Sequence, residues 1–200
     1  QTGRAVGIDL WQAEDLSGNT PAGTLTNAMI EGQAEKVDVL TGDARKLPFD
    51  DASFNVVLSS MALHNIYNAG ERQTAVREIA RVLKSGGTYF SQQIGAGTNR
   101  QLTDFMMGPQ PVSDARSTSR ARADAEAAGL EVLTLEPVTL EVTFSDVGAV
   151  VHFLRKVLWT VPGFTVDGYR DRLLEMHAHI QEHGEFVCTS TRFLIEARKP

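Results

Sequence analysis

The chain of 200 residues has the length of one ordinary domain, and its hydrophobic fraction of 42% is enough to build a core. The net charge of −6 and the pI of about 5.4 argue against a nucleic-acid-binding protein that depends on a broad basic face. The basic cluster RSTSRAR, 116–122, is too local to change this, and we interpret it as a solvated helix start. No segment approaches the ~20 apolar residues of a membrane span, so no membrane partner is expected.

The single cysteine, Cys188, cannot form an internal disulfide, which favours a reducing, cytoplasmic location. It lies in the alternating segment FVCTSTRFLIEA, where a packed core thiol is expected rather than a nucleophile.

The first half of the chain alternates predicted strands and helices. In order, these are a strand at 4–11, a helix at 19–33, strands at 36–43 and 53–63, a helix at 69–87 and a strand at 88–95. The helix at 69–87 carries an apolar stripe and two terminal glycines: Ala75, Ile79, Val82, Leu83, Gly86 and Gly87. The alternation predicts an α/β fold with a mainly parallel sheet and helices on both faces. The first three strands are nearly continuous apolar runs, which predicts that both of their faces are covered.

The second half is predicted to contain more helix. Helices are expected at 98–107, 117–130, 146–160 and 165–184, a strand pair or one long strand at 131–144, and a final strand at 185–199. We expect one domain over 1–200, with a cofactor-binding half at 1–97 and a substrate-side half at 98–200. The substrate-side half is expected to contain a helical insert at about 146–183.

Two acidic residues follow successive predicted strands, where ligands of open parallel sheets bind. Asp9 can accept hydrogen bonds from two adjacent ribose hydroxyls, or it can cap a turn. Asp43 can accept from an exocyclic amine while the Ala44 N–H meets a ring nitrogen, which together would recognise an adenine edge. The alternative for Asp43 is ordinary Gly-Asp turn chemistry.

Three motifs in order give the chain a family resemblance. They are AVGIDLW, then VLTGDARKLPFDDASFNVVLSSMALHNI, then REIARVLKSGGTYF. They resemble the class I S-adenosylmethionine-dependent methyltransferases of the methyltransferase type 11 kind. The pattern G-D-x-x-x-L-P-F-x-D-x-S-F-D-x-V is matched from Gly42 through Val57, with Asn55 in place of its last Asp. The segment RFLIEARK is similar to the last strand of this family, and the resemblance implies a Rossmann-like sheet in which that strand runs antiparallel.

The resemblance implies roles for particular positions. The residues expected to bind S-adenosyl-L-methionine are Asp9, Leu10, Trp11, Asp43, Ala44, Ser59 and Ser60. Of these, Asp9 would hold the ribose, and Asp43 with Ala44 would recognise the adenine; core filling is the alternative role for Trp11. On the acceptor side we expect Met61 and Asn65, with His152 and Trp159 in an aromatic-rich helix that covers the site.

Histidines offer two further hypotheses. His64 could remove a proton from the acceptor as a catalytic base, or it could cap the next helix or pack against the adenosine. The alternative is methyl transfer without a base, because alignment with an activated sulfonium supplies much of the acceleration. His179 and His183 have helical i, i+4 spacing, but nothing completes a ligand set and no metal is expected.

The family places a glycine-rich turn after its first strand, whereas here Thr2-Gly3-Arg4 leads into what corresponds to the second strand. We therefore expect an N-terminally truncated form that lacks the first βα unit, about 30 residues. The expected function is methyl transfer to a small-molecule acceptor. The alternatives are a non-catalytic methyltransferase-like binding or scaffold module, and an oxidoreductase that binds a nicotinamide cofactor on a related sheet.

Overall fold

A computed structural model describes residues 3–12, 19–111 and 116–200. The strands in these ranges are β1 (Ala5–Asp9), β2 (Val37–Thr41), β3 (Phe54–Ser60), β4 (Leu83–Ile94), β5 (Glu131–Phe144) and β6 (Phe186–Arg198). The helices are α1 (Pro21–Ile30), α2 (Ala69–Val82), α3 (Arg100–Met107), α4 (Thr118–Ala127), α5 (Val147–Lys156) and α6 (Arg170–His183). No helix in the described ranges is long and apolar enough to cross a membrane.

The strands form two sheets. β1 and β2 pair in parallel, from Ala5 opposite Val37 to Asp9 opposite Thr41. The second sheet has the order β3-β4-β6-β5, in which β3 is parallel to β4 and β6 is antiparallel to both of its neighbours. Three strands of this sheet therefore run in one direction, and the last strand of the chain alone is reversed. The predicted α/β class with an antiparallel last strand is confirmed. No strand pairing joins β1 to β3 within the described residues, and the missing first βα unit stays a prediction.

Helices cover both faces of the larger sheet. Phe186 and Cys188 of β6 pack in one core with α3, α5 and α6, while Ile195 and Ala197 pack in another with α2 and α4. Because successive side chains of a strand point to opposite faces, these even-numbered and odd-numbered residues belong to opposite sides of the sheet. Cys188 is fully buried, as predicted, and burial raises the pKa of its thiol to about 11.

The prediction that both faces of the first three strands are covered is wrong for the described structure. No residue of β1, β2 or β3 is buried, and Leu58 in β3 is 73% exposed. The physical reason is that β1 and β2 pair only with each other, and α1 buries none of its side chains. Coverage is partial: Val57 of β3 is half-buried against the core of α2 and α4, whereas Leu40, Val56 and Leu58 are exposed.

The junction of α2 and β4 differs from the predicted helix end. The predicted stripe is buried, but the helix ends at Val82 and Leu83 already has extended backbone. Gly86 and Gly87 therefore lie within β4 rather than after the helix. A Cβ on Gly87 would be 2.8 Å from the Lys84 carbonyl oxygen, so close backbone approach explains the glycine at that position.

One strand spans the segment for which the sequence left two alternatives. β5 continues through Pro137, which lies opposite Phe193 of β6. Because β5 is an edge strand paired only with β6, a residue without an N–H is tolerated there.

Candidate functional site

The carboxyl ends of β1, β2 and β3 border one cleft of about 690 Å³. Its walls come from residues 8–10, 42–45, 60–63 and 65–68, with Gln12, Asn19 and Glu71. This volume lies within the range of small-molecule and cofactor sites. The cleft therefore lies where the sequence predicted a ligand site, at the ends of the strands.

Asp9 ends β1 at this cleft. Its Oδ1 accepts a hydrogen bond of 2.7 Å from the Trp11 N–H, and Trp11 adopts left-handed backbone with φ of +58°. The Gly42 N–H donates to the Asp9 carbonyl oxygen at 3.1 Å, which ties the ends of the two strands together. Within the described residues Oδ2 has no donor, so this oxygen is available to the hydroxyls of a ligand.

Asp43 is held by Arg45. The Arg45 backbone N–H donates to Oδ1 at 2.8 Å, and its Nη2 donates to Oδ2 at 2.6 Å. The Arg45 Nη1 also donates to Oε2 of Glu71 at 2.6 Å. Hydrogen bonds from Arg45 keep the pKa of the Asp43 carboxyl below its usual value, so Asp43 is ionised at neutral pH. Because both carboxylate oxygens already accept from Arg45, Asp43 has less capacity for an adenine amine than the sequence suggested.

The end of β3 supplies the opposite wall. Ser60 and Met61 line the cleft, and Met61 has left-handed backbone with φ of +56°. The Met61 N–H donates to the Gln92 carbonyl oxygen at 2.9 Å, which fixes the turn out of the strand. Ser59 does not line the cleft, because adjacent side chains of a strand point to opposite faces.

Comparison with known proteins gives a consistent assignment. Residues 3–91 match the family model of the methyltransferase domain. A demethylmenaquinone methyltransferase from Mycobacterium tuberculosis is 41% identical over 71 residues, which are 36% of this chain and 29% of that protein. The 27-O-demethylrifamycin SV methyltransferase of Amycolatopsis mediterranei is 29% identical over 169 residues, covering 79% of this chain and 53% of that enzyme. The matches thus span about half or less of the length of these curated relatives.

Residues 3–91 are therefore similar in sequence to the methyltransferase-domain family. The fold agrees with this sequence match. An S-adenosylmethionine-dependent methyltransferase from Methanosarcina mazei superposes with a TM-score of 0.58 at 16% identity, and the superposition covers 97% of this chain and 81% of that one. The [4+2]-cyclase SpnF superposes with a TM-score of 0.57 at 21% identity, covering 99% and 67%. The fold alone therefore does not determine the reaction.

Five of the seven predicted cofactor positions line the cleft: Asp9, Leu10, Asp43, Ala44 and Ser60. The backbone N–H of Ala44 donates to no acceptor in the described part of the chain, and it is available to a ligand. Ser59 and Trp11 lie outside the lining. The indole Nε1 of Trp11 donates to Oγ1 of Thr41 at 3.1 Å, so this ring packs at the end of β2.

The predicted acceptor-side residues are not all brought together. Met61 and Asn65 line the main cleft. His152 instead borders a second cleft on α5, with Arg155 and Lys156, so it does not share a site with them. Trp159 does not line the main cleft either, but it is linked to Tyr67, which does, through a shared contact with Arg116.

The geometry does not support His64 as a catalytic base. Its ring is only 8% exposed, and it is absent from the lining, although its neighbours Leu63 and Asn65 are present there. Burial, and then the positive charge of Arg116, lower the pKa of His64 to about 4. Its Nδ1 has no hydrogen-bond partner among the described atoms. A neutral, enclosed imidazole with this pKa is a weak base at neutral pH.

The histidines of α6 are held by local contacts. The rings of His179 and His183 stack with centroids 4.3 Å apart, and the His183 Nδ1 lies 2.9 Å from the His179 carbonyl oxygen. Over the described ranges, no group of three or more His, Cys, Asp or Glu side chains is arranged to hold a metal ion.

Sequence reasoning missed several polar residues of the site: Arg45, Tyr67, Glu71 and Arg116. Arg45 could have been found from its position two residues after Asp43, where an Asx turn brings the two side chains together. Arg116 was interpreted as part of a solvated helix start. It instead precedes α4 and donates from Nη2 to the Tyr67 hydroxyl at 3.1 Å. The local sequence does not predict this contact, because the two residues are 49 positions apart.

Proposed function

We propose that the cleft binds S-adenosyl-L-methionine and that the protein transfers its methyl group to a small-molecule acceptor. The observation that carries the proposal is the joint placement of Asp9 and Ala44 in one cleft of a methyltransferase-family domain. Among the described residues, Oδ2 of Asp9 has no donor and the Ala44 N–H has no acceptor. Two such groups at the ends of adjacent parallel strands suit the hydroxyls and the base of a nucleoside.

The predicted residues that line the cleft each have a defined part in this proposal. Asp9 binds the ribose hydroxyls, and the Ala44 N–H with the remaining capacity of Asp43 binds the adenine edge. Leu10 and Ser60 flank the nucleoside from the two sides of the cleft. The bound cofactor supplies an electrophilic methyl group, and Met61 and Asn65 lie where the acceptor would meet it.

The proposed acceptor class, a small molecule, is supported by the relatives. Their names assign methyl transfer to demethylmenaquinone, to a phytyl naphthoquinone and to a rifamycin. The proposal takes from them the size class of the acceptor and not its identity. Binding of the acceptor and residence in the cytoplasm are parts of the same proposal, and each needs its own measurement.

Calorimetric titration with S-adenosylhomocysteine, the product form of the cofactor, tests the proposal directly. Asp9→Asn is expected to weaken binding by about 10- to 100-fold, because hydrogen bonds to a charged group contribute about 1.5–3 kcal/mol. Asp43→Asn is expected to have a smaller effect, because Arg45 already occupies that carboxylate. The matched control is Asp38→Asn on β2, whose carboxylate pairs with Arg4 at 3.0 Å outside the cleft.

Absence of binding both to the unsubstituted chain and to a chain carrying an added upstream βα unit would overturn the proposal and leave the non-catalytic scaffold in its place. Equal loss in the Asp9 and Asp38 variants would also contradict it, because only Asp9 lines the cleft. Preferential binding of reduced nicotinamide cofactor over S-adenosylhomocysteine would instead support the oxidoreductase alternative.

A further inference from the structure

Arg116 is held between two aromatic rings at the edge of the cleft. Its guanidinium carbon lies 5.5 Å from the centroid of the Tyr67 ring and 5.3 Å from that of the Trp159 ring. Both distances are within the range of attractive cation–π contacts. Tyr67 comes from the segment before α2 and Trp159 from the segment after α5, so one cation joins three distant parts of the chain.

Both rings of this aromatic–arginine cluster are accessible. Tyr67 is 67% exposed and Trp159 is 44% exposed, and Leu158 beside it is also exposed. Exposed aromatic side chains in contact with a cation form a surface on which a planar ring can stack. Because Tyr67 also lines the main cleft, this surface is continuous with the proposed methyl-transfer site.

The charge of the cluster selects for an anion. A guanidinium has five N–H donors, and the described contacts of Arg116 use one of them, on the Tyr67 hydroxyl. No carboxylate of the described residues lies within ion-pair distance of Arg116. The nearby His64 is buried and neutral, so it adds no second positive charge beside Arg116. A half-buried cation whose other N–H groups donate to no described residue favours an oxygen anion with planar geometry.

We propose that Tyr67, Arg116 and Trp159 bind the methyl acceptor, and that this acceptor is a planar ring carrying an oxyanion. The role of this ligand as the methyl acceptor rests on the proposed function. Binding of a planar oxyanion to the cluster does not depend on that function. Arg116 holds the negative oxygen, and the two aromatic rings contact the planar part of the molecule. Arg116 also stabilises the ionised form of an acidic hydroxyl, whose proton leaves to water. This removes the need for a protein base, which is consistent with the enclosed position of His64.

The probe is 4-nitrophenol, because the colour of its phenolate reports both binding and ionisation without any cofactor. We expect the protein to lower the apparent pKa of the bound phenol relative to the free phenol. We expect Arg116→Gln to weaken phenolate binding by about 10-fold or more, from the loss of a charge-assisted hydrogen bond. The control is Arg122→Gln on α4, an exposed arginine that pairs with Glu126. Tyr67→Phe keeps the ring but removes the hydroxyl, and is expected to retain most of the binding.

The outcomes separate the inference from the proposed function. An unchanged or raised pKa of the phenol in the presence of unsubstituted protein would overturn the inference without the need for any variant. Binding of neutral nitrobenzene as tightly as the phenolate would overturn it as well, and so would equal effects of the Arg116 and Arg122 variants. S-adenosylhomocysteine titration is the independent readout. Its success with a failed phenolate test removes only the acceptor inference. The reverse result removes the methyltransferase proposal and the acceptor role with it, and leaves only a site for a planar oxyanion.

Discussion

Breaking the buried ion pair between Arg72 and Asp124 is expected to destabilise this protein strongly. Arg72 on α2 and Asp124 on α4 are each 4% exposed at their side chains, with Nε and Oδ2 3.1 Å apart. Arg72 Nη1 also donates to the Ile66 carbonyl oxygen at 3.0 Å, which connects the pair to the wall of the cleft. Removing either charge leaves the other one buried without its partner.

The structure separates the expected costs of the two single substitutions. Asp124→Leu leaves the Arg72 guanidinium buried without a carboxylate, so we expect a loss near the upper end of the ~3–5 kcal/mol range for broken buried pairs. Arg72→Met is expected to cost about 3 kcal/mol, because Nε of the more exposed Arg120 is 3.5 Å from Asp124 Oδ1 and compensates in part. The double variant removes both charges and is expected to be more stable than Asp124→Leu alone.

Urea unfolding followed by far-ultraviolet circular dichroism measures these free energies of unfolding. The control is Arg122→Met, which breaks an exposed pair with Glu126 and is expected to cost at most about 0.5 kcal/mol. A cost below about 1 kcal/mol for both single substitutions would refute the reasoning. So would a double variant whose loss equals the sum of the two single losses, because strong coupling is the signature of a buried pair.

Three further expectations concern other parts of the molecule. The pKa of His64 is lowered to about 4, so its neutral form favours the folded state and stability is lost as pH falls from about 6.5 to 4. His64→Leu should reduce this loss by about 2–3 kcal/mol. Urea titrations at each pH measure the difference. Gly95→Ala should lower stability by about 1–3 kcal/mol, because its Cβ would lie 2.6 Å from Thr191 Oγ1; a thermal midpoint equal to that of the unsubstituted protein would contradict this. The protein should self-associate through the exposed apolar residues and open edge of β3, and Leu58→Lys should reduce that association in light scattering; a monomeric unsubstituted protein would be the contrary result.

Local patterns were sufficient to predict much of the fold. The stripe of α2 is buried as predicted, because i, i+3 and i+4 spacing places its members on one helix face. The alternation of β6 predicted a core position for Cys188. Long-range pairing was less accessible to prediction. The end of α2 was misplaced because Leu83 pairs with Phe54, and nothing in the local sequence shows that contact.

The candidate site was predictable where it depends on strand ends and not where it depends on distant side chains. Asp9 and Asp43 follow apolar strands, and the parallel pairing of those strands brings both residues to one cleft. The engagement of Asp43 by Arg45 depends on a turn conformation, and the Arg116 contacts depend on the packing of three separate segments. His64 illustrates the remaining limit, because the sequence shows a titratable group but not its burial.

The position of β6 has a consequence for how the molecule is made. This strand is synthesised after the other five described strands, yet it lies between β4 and β5, and its ladder to β4 joins residues about a hundred positions apart. A ribosome-bound chain cannot complete the larger sheet until residues 186–198 are free of the ribosome, because β4 and β5 do not pair with each other. Both halves of the core must then form late and together, which is the slow regime for topologies with distant contacts. Until β6 is available, the sides of β4 and β5 that pair with it in the folded sheet lack that hydrogen-bonding partner.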